Sequence, residues 1–284
     1  MTFRPRGFLE CTGGPGSPFA LLGLPFDGTC SFRPGCRFGP GAIREASWVL
    51  ETYSPRAEAE LAGHRVADLW DLDLPPSGPS RAVDRIAAAV GPLLDAGARV
   101  LGLGGEHMVT YPLVREHRRR HPGLTLLVFD AHADLRDEYL GERLSHATVA
   151  RRCLEELGPS GLCQIGVRSG TREEFAWMRR NATLFPPTPE GVRSALGRTT
   201  GPLYLSLDLD VFDPGVLPGT GAPEPGGIGF PAFEACLAEI ARSGRPVVGA
   251  DVVELCPACD STQASAVLAA KAVRELLILM GAGE

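Results

Sequence analysis

The chain has 284 residues, of which 44% are hydrophobic and 22% are charged, and its formal net charge is -6. These values are typical of one large globular domain or two small ones with a substantial buried core. The negative charge disfavours binding to nucleic acid or to acidic membrane surfaces, and it is compatible with a small cationic substrate.

The sequence also bears on compartment and on cysteine chemistry. No apolar run is long enough to span a bilayer, and residues 1–11 lack the sections of a signal peptide, so we expect a cytoplasmic protein without a membrane partner. Eight cysteines are scattered along the chain, which favours reduced thiols over a disulfide framework. Cys256 and Cys259 have the C-x-x-C spacing, but a single pair is a weak metal or redox signal, and packing is its simplest interpretation.

Short apolar runs alternate with stretches of helical spacing along the whole chain. The runs predict buried strands, and their alternation with helices implies a parallel sheet covered by helices on both faces. No linker or fixed-period repeat divides the chain, so we expect a single domain over residues 1–284. Strands are predicted at 19–24, 99–103, 124–129, 163–167, 203–207 and 246–253, helices at 42–52, 81–96, 111–120, 146–156, 172–180, 231–242 and 262–280, and long loops at 186–200 and 213–231.

Two of the predicted strands run directly into acidic residues. One is followed by Asp130, His132 and Asp134, and another by Asp208 and Asp210. Carboxylates side by side cannot all stay ionised without cations, and two divalent ions would balance the charge of these four. Because alternate residues of an extended chain point the same way, the side chains in each motif can converge on one spot.

A third predicted strand, 99–103, is followed by Gly-Gly-Glu-His, which places His107 at the edge of the sheet as a further ligand. The set then has two imidazoles, four carboxylates and no thiolate, which suits Mn²⁺ before Zn²⁺ or Fe²⁺. We predict a two-metal hydrolytic site that activates a water molecule. Its expected ligands are His107, Asp130, His132, Asp134, Asp208 and Asp210.

Three other histidines lack this context. His64, His117 and His121 have no acidic neighbours in such a pattern, and residues 115–121 are interpreted as a solvated, basic helix end. No function is assigned to them.

With these motifs in place, the chain resembles the ureohydrolases, the family that includes arginase and agmatinase, and its amino-terminal segments are most similar to the agmatinase type. The resemblance covers nearly the whole chain. It implies a three-layer α/β/α fold with a mostly parallel central sheet, two manganese ions, hydrolysis of a guanidinium group to urea and an amine, and a trimer or hexamer. It is carried by residues 24–29, 33–40, 51–55, 104–107, 130–134, 206–214 and 218–224.

The resemblance also implies a role for each site residue. One ion would be held by His107, Asp130, Asp134 and Asp208, and the other by Asp130, His132, Asp208 and Asp210. Asp130 and Asp208 would then bridge the two ions. Asp134 would in addition position the metal-bridging hydroxide and move a proton to the leaving amine. Glu254 would bind the guanidinium group, and His146 would exchange protons with solvent.

Departures from the family pattern bear on the substrate. Glu106 stands where many members carry Asp, and Ala222 stands where arginases usually carry Thr. Residues 135–146 lack the pattern with which arginases hold an α-amino acid. This favours a small cationic, decarboxylated guanidino substrate, agmatine, cleaved to putrescine and urea. The alternatives are an amidinohydrolase acting on guanidinobutyrate, guanidinopropionate or arginine, a non-catalytic binding subunit of this family, and a binuclear phosphatase.

Overall fold

A computed structural model describes residues 7–14 and 16–282 of the chain. Residues 1–6, which belong to the amino-terminal segment that lacks the sections of a signal peptide, lie outside the described residues. Within the described ranges, no helix is both long and apolar enough to cross a membrane. All eight cysteines fall in these ranges and are free thiols.

The fold is built around a parallel β-sheet. In chain order the strands are Phe19–Leu24 (β1), Tyr53–Ser54 (β2), Ala59–Glu60 (β3), Val66–Asp71 (β4), Arg99–Gly104 (β5), Thr125–Phe129 (β6), Leu162–Ile165 (β7), Leu184–Phe185 (β8), Leu203–Asp208 (β9) and Val247–Val253 (β10). An eight-stranded sheet has the order β4-β1-β5-β10-β9-β6-β7-β8, and every neighbouring pair in it is parallel. β2 and β3 form a separate antiparallel pair. The carboxyl ends of the eight strands therefore share one edge, where loops build sites in such folds.

Helices cover both faces of the sheet and enclose two hydrophobic cores. They span Gly39–Ser47 (α1), Pro79–Asp95 (α2), Thr110–Arg120 (α3), Val149–Leu157 (α4), Arg172–Asn181 (α5), Pro189–Gly197 (α6), Phe230–Arg242 (α7) and Ala264–Gly281 (α8). One core joins α1, α6, α7 and α8 to Leu127 and Phe129 of β6, and the other joins α2, α3, α4 and α5 to Leu126 and Val128. The central strands contribute side chains to both cores, because successive side chains of a strand point to opposite faces of the sheet. The predicted three-layer α/β/α fold is confirmed.

The fold differs from the sequence predictions at one predicted loop and at four strands that have no predicted counterpart, β2, β3, β4 and β8. The prediction of a loop at 186–200 is wrong, because this segment contains α6. This helix begins after Thr188, whose side chain accepts a hydrogen bond from the Gly191 backbone N–H at 3.2 Å, and Pro189 occupies its first turn. The edge strand β4 has no counterpart among the predicted strands. It pairs only with β1 within the described sheet, and its second half is largely exposed, so its sequence lacks the continuous apolar pattern of the central strands.

The interpretation of residues 115–121 as a solvated helix end is wrong for His117. Its side chain is fully buried, and its ring lies 4.8 Å from the ring of Tyr204. Nδ1 donates a hydrogen bond to the carbonyl oxygen of Leu113 at 2.7 Å, and burial lowers the pKa of the imidazole to about 4. His117 is therefore a neutral core residue at neutral pH.

Candidate functional site

The predicted site residues follow four strands that are neighbours in the sheet. β5 leads to His107, β10 to Glu254, β9 to Asp208 and Asp210, and β6 to the motif that starts at Asp130. Because the strands are parallel and adjacent, all these residues reach the same stretch of the sheet edge. Asp130 lies beneath a cavity of about 310 Å³, whose lining includes His107, His132, Asp134, His146, Asp208, Asp210 and Glu254.

A close backbone approach positions the first of these residues. A Cβ atom at Gly105 would lie 1.9 Å from the carbonyl oxygen of Phe26, so only glycine fits there. The backbone N–H of Glu106 donates to the same oxygen at 2.7 Å. The backbone N–H of His107 then donates to Oε1 of Glu254 at 2.7 Å, which joins the loops after β5 and β10.

The Nδ1 atom of His107 faces three carboxylates. It lies 3.1 Å from Asp130 Oδ2, 3.3 Å from Asp134 Oδ2 and 3.1 Å from Asp208 Oδ2. This nitrogen is fully buried, and it makes no hydrogen bond to any described residue. Such an arrangement is favourable only when a positive charge lies among these atoms, as a proton or as a metal ion.

The other ring nitrogen of His107 indicates which tautomer is present. Nε2 lies 3.1 Å from Oγ of Ser206, and that hydroxyl donates its hydrogen to Asp251 Oδ1 at 2.7 Å. The serine oxygen is therefore left to accept from Nε2–H, and Nδ1 keeps its lone pair for a metal. Tyr204 donates to the second oxygen of Asp251 at 2.7 Å, which fixes the chain of hydrogen bonds.

Ser206 and Asp251 were not assigned a role by the sequence analysis. They lie opposite each other on β9 and β10, and both are fully buried. The signal that could have found them is a polar residue within an otherwise apolar, buried strand. Asp251 is thus a partner of Ser206 that acts on His107 from behind the cavity.

A second group of ligand atoms is formed by Asp130, His132 and Asp210. As in the group of His107, Asp130 and Asp208, one atom from each residue lies within 4.8 Å of the others. His132 Nδ1 lies 2.8 Å from Asp210 Oδ2 and 3.7 Å from Asp130 Oδ1. Asp130 belongs to both groups, as a bridging ligand would.

The electrostatics of these two groups are those of a cation site. Burial, followed by repulsion from Asp210 and Asp134, raises the pKa of Asp130 to about 8. Burial lowers the pKa of His132, but the hydrogen bond with Asp210 and the negative charges of Asp210, Asp130 and Asp134 together outweigh burial and raise the pKa to about 11. With both pKa values raised, protons are retained among these carboxylates. No Lys or Arg side chain of the described residues neutralises the carboxylates. Divalent cations would supply the same positive charge.

The amino-terminal segment holds His146 at the cavity wall. Nδ1 of His146 lies 3.3 Å from Oγ1 of Thr29, and Nε2 lies 3.2 Å from Oγ of Ser31. Thr29 is held in turn by Glu106, which accepts from its backbone N–H at 2.8 Å and from its hydroxyl. Burial lowers the pKa of His146, although Asp134 raises it. Thr29 and Ser31 have no role among the sequence predictions, because a hydroxyl in a loop carries no pattern of its own.

Two acidic residues at the site have unusual backbones. Asp134 and Glu254 adopt positive φ angles of 49° and 67°. Such conformations are uncommon for residues other than glycine, and they cluster at functional sites.

Oε2 of Glu254 accepts a hydrogen bond from the Cys36 thiol at 3.1 Å. Burial, followed by Asp208, raises the pKa of Glu254 well above its usual range.

Comparisons with known proteins show what the whole chain is similar to. The sequence pattern of the Arginase family matches residues 17–279. The chain is 41% identical to the agmatinase of Bacillus subtilis (strain 168), over 91% of this chain and 90% of that protein. It is 34% identical to the guanidinobutyrase of Pseudomonas aeruginosa, over 92% and 86% respectively. The crystal structure of the agmatine ureohydrolase of Thermoplasma volcanium is similar with a TM-score of 0.87 and 29% identity, covering 98% of this chain and 95% of that one.

Proposed function

The chain belongs to the arginase family, and we propose that it hydrolyses agmatine to putrescine and urea. The observation that carries this proposal is the position of Glu254. Its carboxylate lines the cavity beside His107, where it can hold a guanidinium group next to the cluster of carboxylates. The 41% identity to the agmatinase of Bacillus subtilis supports agmatine as the substrate.

We propose that the cofactor is a pair of Mn²⁺ ions. Four carboxylates and two imidazoles without a thiolate suit a hard ion, and the buried Nδ1 of His107 needs a positive partner. When bound, the ions would supply a water molecule activated for attack near neutral pH. One ion would be held by His107, Asp130, Asp134 and Asp208, and the other by Asp130, His132, Asp208 and Asp210.

Glu254 would orient the substrate. A carboxylate forms strong, charge-assisted hydrogen bonds with guanidinium N–H groups. The carboxylate is already fixed by its hydrogen bonds from the His107 backbone and from Cys36, so it loses little conformational freedom when the substrate binds.

Asp134 and His146 would move the protons. Hydrolysis places the oxygen of water on the guanidinium carbon, and the departing amine nitrogen gains a proton. Asp134 lines the cavity and would accept a proton from the water and pass it to that nitrogen. His146 lies on the same wall, and its lowered pKa leaves the imidazole neutral near pH 7, so that it would act as a proton acceptor.

A substrate panel tests the proposal. Urea release by the Mn²⁺-loaded protein is measured with agmatine, arginine, guanidinobutyrate and guanidinopropionate. We expect kcat/KM for agmatine to exceed each of the others by at least about tenfold, because the cavity discriminates at the far end of the substrate. A higher kcat/KM for any of the other three would refute agmatine as the substrate.

Arg136 favours a guanidino acid as the second candidate. Its side chain lines the cavity, lies over the ring of Tyr139 at 4.7 Å, and makes no ion pair with any residue in the described ranges. A free guanidinium at this wall can pair with a distal carboxylate and repel a distal ammonium group. Arg136→Gln should therefore lower kcat/KM for guanidinobutyrate if a guanidino acid is the substrate, and should preserve or raise kcat/KM for agmatine if agmatine is.

We also propose that the protein is a cytoplasmic homo-oligomer, a trimer or a hexamer. The large side chains of Phe38, Trp48, Val49 and Tyr53 are exposed, and contact between subunits would cover such apolar surface. Light scattering coupled to size exclusion measures the assembly, and a monomer at micromolar concentration would contradict this proposal.

A further inference from the structure

A second set of candidate ligands lies beside the carboxylate cluster and differs from it in chemistry. Cys30, Cys36 and Glu254 each place one ligand atom within 4.8 Å of the others. The Cys36 thiol donates to Glu254 Oε2 at 3.1 Å. None of these three residues belongs to the proposed manganese ligands.

We propose that Cys30, Cys36 and Glu254 form a binding site for a thiophilic divalent cation such as Zn²⁺ or Cd²⁺, and that this ion excludes the substrate. The binding of the ion depends only on the three side chains. The exclusion of substrate rests on the proposed function, because it requires that Glu254 hold the guanidinium group.

The geometry is close to that which one ion requires. With zinc–sulfur distances of about 2.3 Å and zinc–oxygen distances of about 2.1 Å, two ligands of one ion lie at most about 4.6 Å apart. The three atoms are within 4.8 Å of one another, so small side-chain movements suffice. Cys36 is fully buried and Glu254 nearly so, which protects their attraction for an ion from screening by water. Cys30 is partly exposed and lines the cavity, which gives the ion a route from solvent.

Ligand chemistry separates this site from the carboxylate cluster. Thiolates select soft or borderline ions such as Zn²⁺ and Cd²⁺, whereas carboxylates and imidazoles suit Mn²⁺. On binding, Cys30 and Cys36 each lose a proton, and two thiolates with one carboxylate then carry three negative charges against two positive ones. The Cys256 thiol is close enough to influence Cys36, so a further thiol lies next to the site.

The consequence for the substrate follows from the position of Glu254. An oxygen that ligates the ion is no longer free to accept from a guanidinium N–H. The positive charge of the ion also repels the guanidinium group in a buried setting. Ion and substrate should therefore compete for the same carboxylate.

Cadmium provides a direct test of binding. The full-length Mn²⁺-loaded protein is titrated with Cd²⁺, and the ultraviolet charge-transfer band of cadmium–thiolate bonds is recorded together with bound Cd²⁺ from equilibrium dialysis. Oxygen and nitrogen ligands do not produce this band, so it reports the cysteines alone. We expect one Cd²⁺ per chain with the band. The double variant Cys30→Ser/Cys36→Ser should lose the band and weaken Cd²⁺ binding at least about tenfold.

Two controls make the result specific. Cys11→Ser removes a free cysteine outside the set and should leave both readouts unchanged. Cys259→Ser tests the C-x-x-C pair, whose sulfur atoms lie 3.4 Å apart. A band that survives in the double variant but disappears in Cys259→Ser would assign the ion to that pair and overturn the proposal. If the double variant does not fold, Cys30→Ser alone, at the partly exposed position, gives the same comparison.

A competition experiment separates the two parts of the proposal. Agmatine should shift the Cd²⁺ titration to higher concentration, and Zn²⁺ should raise KM without lowering kcat. If agmatine does not change the Cd²⁺ concentration at which the thiolate band appears, and Zn²⁺ inhibits non-competitively, the exclusion of substrate is overturned. The site itself would then remain in place. If the protein releases no urea from any guanidino compound, the proposed function fails, but the band still decides whether the site exists.

Discussion

Two buried, charged clusters in this molecule differ in whether they contain their own positive charge. Around Arg44, the guanidinium Nε lies 2.9 Å from Asp68 Oδ2 and its NH1 group lies 2.6 Å from Asp71 Oδ1. This cluster joins α1 to β4. In the candidate metal centre, by contrast, the carboxylates have only His107 and His132 as basic partners among the described residues.

The difference separates charge that serves structure from charge that serves function. An ion pair that is complete within the protein needs nothing from outside, and it contributes mainly by fixing two elements relative to each other. A cluster with excess negative charge becomes favourable only when protons or cations join it. Counting the partners of buried charges is therefore a guide to ligand sites, and it can be tested on both clusters.

The largest effect is expected in the metal centre. Asp130→Asn removes a carboxylate that belongs to both ligand groups. We expect urea release to fall by at least about 10³-fold, with a loss of bound manganese measured by elemental analysis. Asp84→Asn, on the exposed face of α2, is the control and should keep both properties. Full activity of Asp130→Asn after treatment with a chelator would refute the two-metal interpretation.

A large effect on stability, but not on metal content, is expected at Arg44. Arg44→Met leaves the buried Asp68 carboxylate without its cation, and such a change costs about 3–5 kcal/mol of unfolding free energy. The control Arg151→Met breaks an exposed pair with Glu155, and it should cost under about 1 kcal/mol. Urea unfolding followed by circular dichroism measures both variants, and equal losses in the two would contradict the comparison.

His117 extends the comparison to a buried group that is neutral. Its pKa is about 4 in the folded protein, against 6.5 for an ordinary histidine. Between these two pH values the unfolded chain binds a proton that the folded chain does not, so stability falls as the pH falls from about 6.5 to about 4. His117→Gln should remove about 3 kcal/mol of this pH-dependent loss, at about 1.4 kcal/mol for each pKa unit.

The measurement is the unfolding free energy of both proteins at pH 7 and pH 4.5. Contributions from other titrating groups are the same in the two proteins and cancel in the difference. Parallel stability curves for wild type and His117→Gln would show that the pKa of His117 is the same in the folded and unfolded states, and would contradict the lowered value.

The smallest effect is expected one step behind the metal centre. Ser206→Ala removes the hydroxyl that accepts from His107 Nε2, without touching a ligand. Manganese affinity should fall by about 10–100-fold, because the preferred tautomer of His107 is no longer held. Ser194→Ala, on the exposed surface of α6, is the matched control. If Ser206→Ala binds manganese with unchanged affinity, Ser206 and Asp251 do not contribute to metal binding through His107.

The parts of the site that follow strands are predictable from the sequence, and the parts that depend on packing are not. Asp130 and Asp208 come directly after apolar strands, and parallel strands end at one edge, so their convergence follows from the order of the residues. Thr29 reaches His146 only because the loops after β1 and β5 approach at Gly105. Likewise, the pairing of Ser206 with Asp251 depends on the register of β9 against β10, which no local pattern encodes.

The same division holds for the fold. The central strands carry continuous apolar runs because helices cover both of their faces, and these strands are predicted. The edge strand β4 and the short helix α6 are missed, because the second half of β4 is exposed and the 9 residues of α6 are too few to show a clear helical period.

The position of the site residues at the ends of four adjacent strands has a consequence for how such a protein can change. The candidate metal ligands lie at or just after the ends of sheet strands, whereas other residues that line the cavity, such as Ser31, Arg136 and Tyr139, come from loops. Loops tolerate insertion and replacement far better than central strands. Natural variation or directed evolution can therefore exchange these loop residues, and with them the compound that is accepted, while the hydrolytic chemistry is inherited intact.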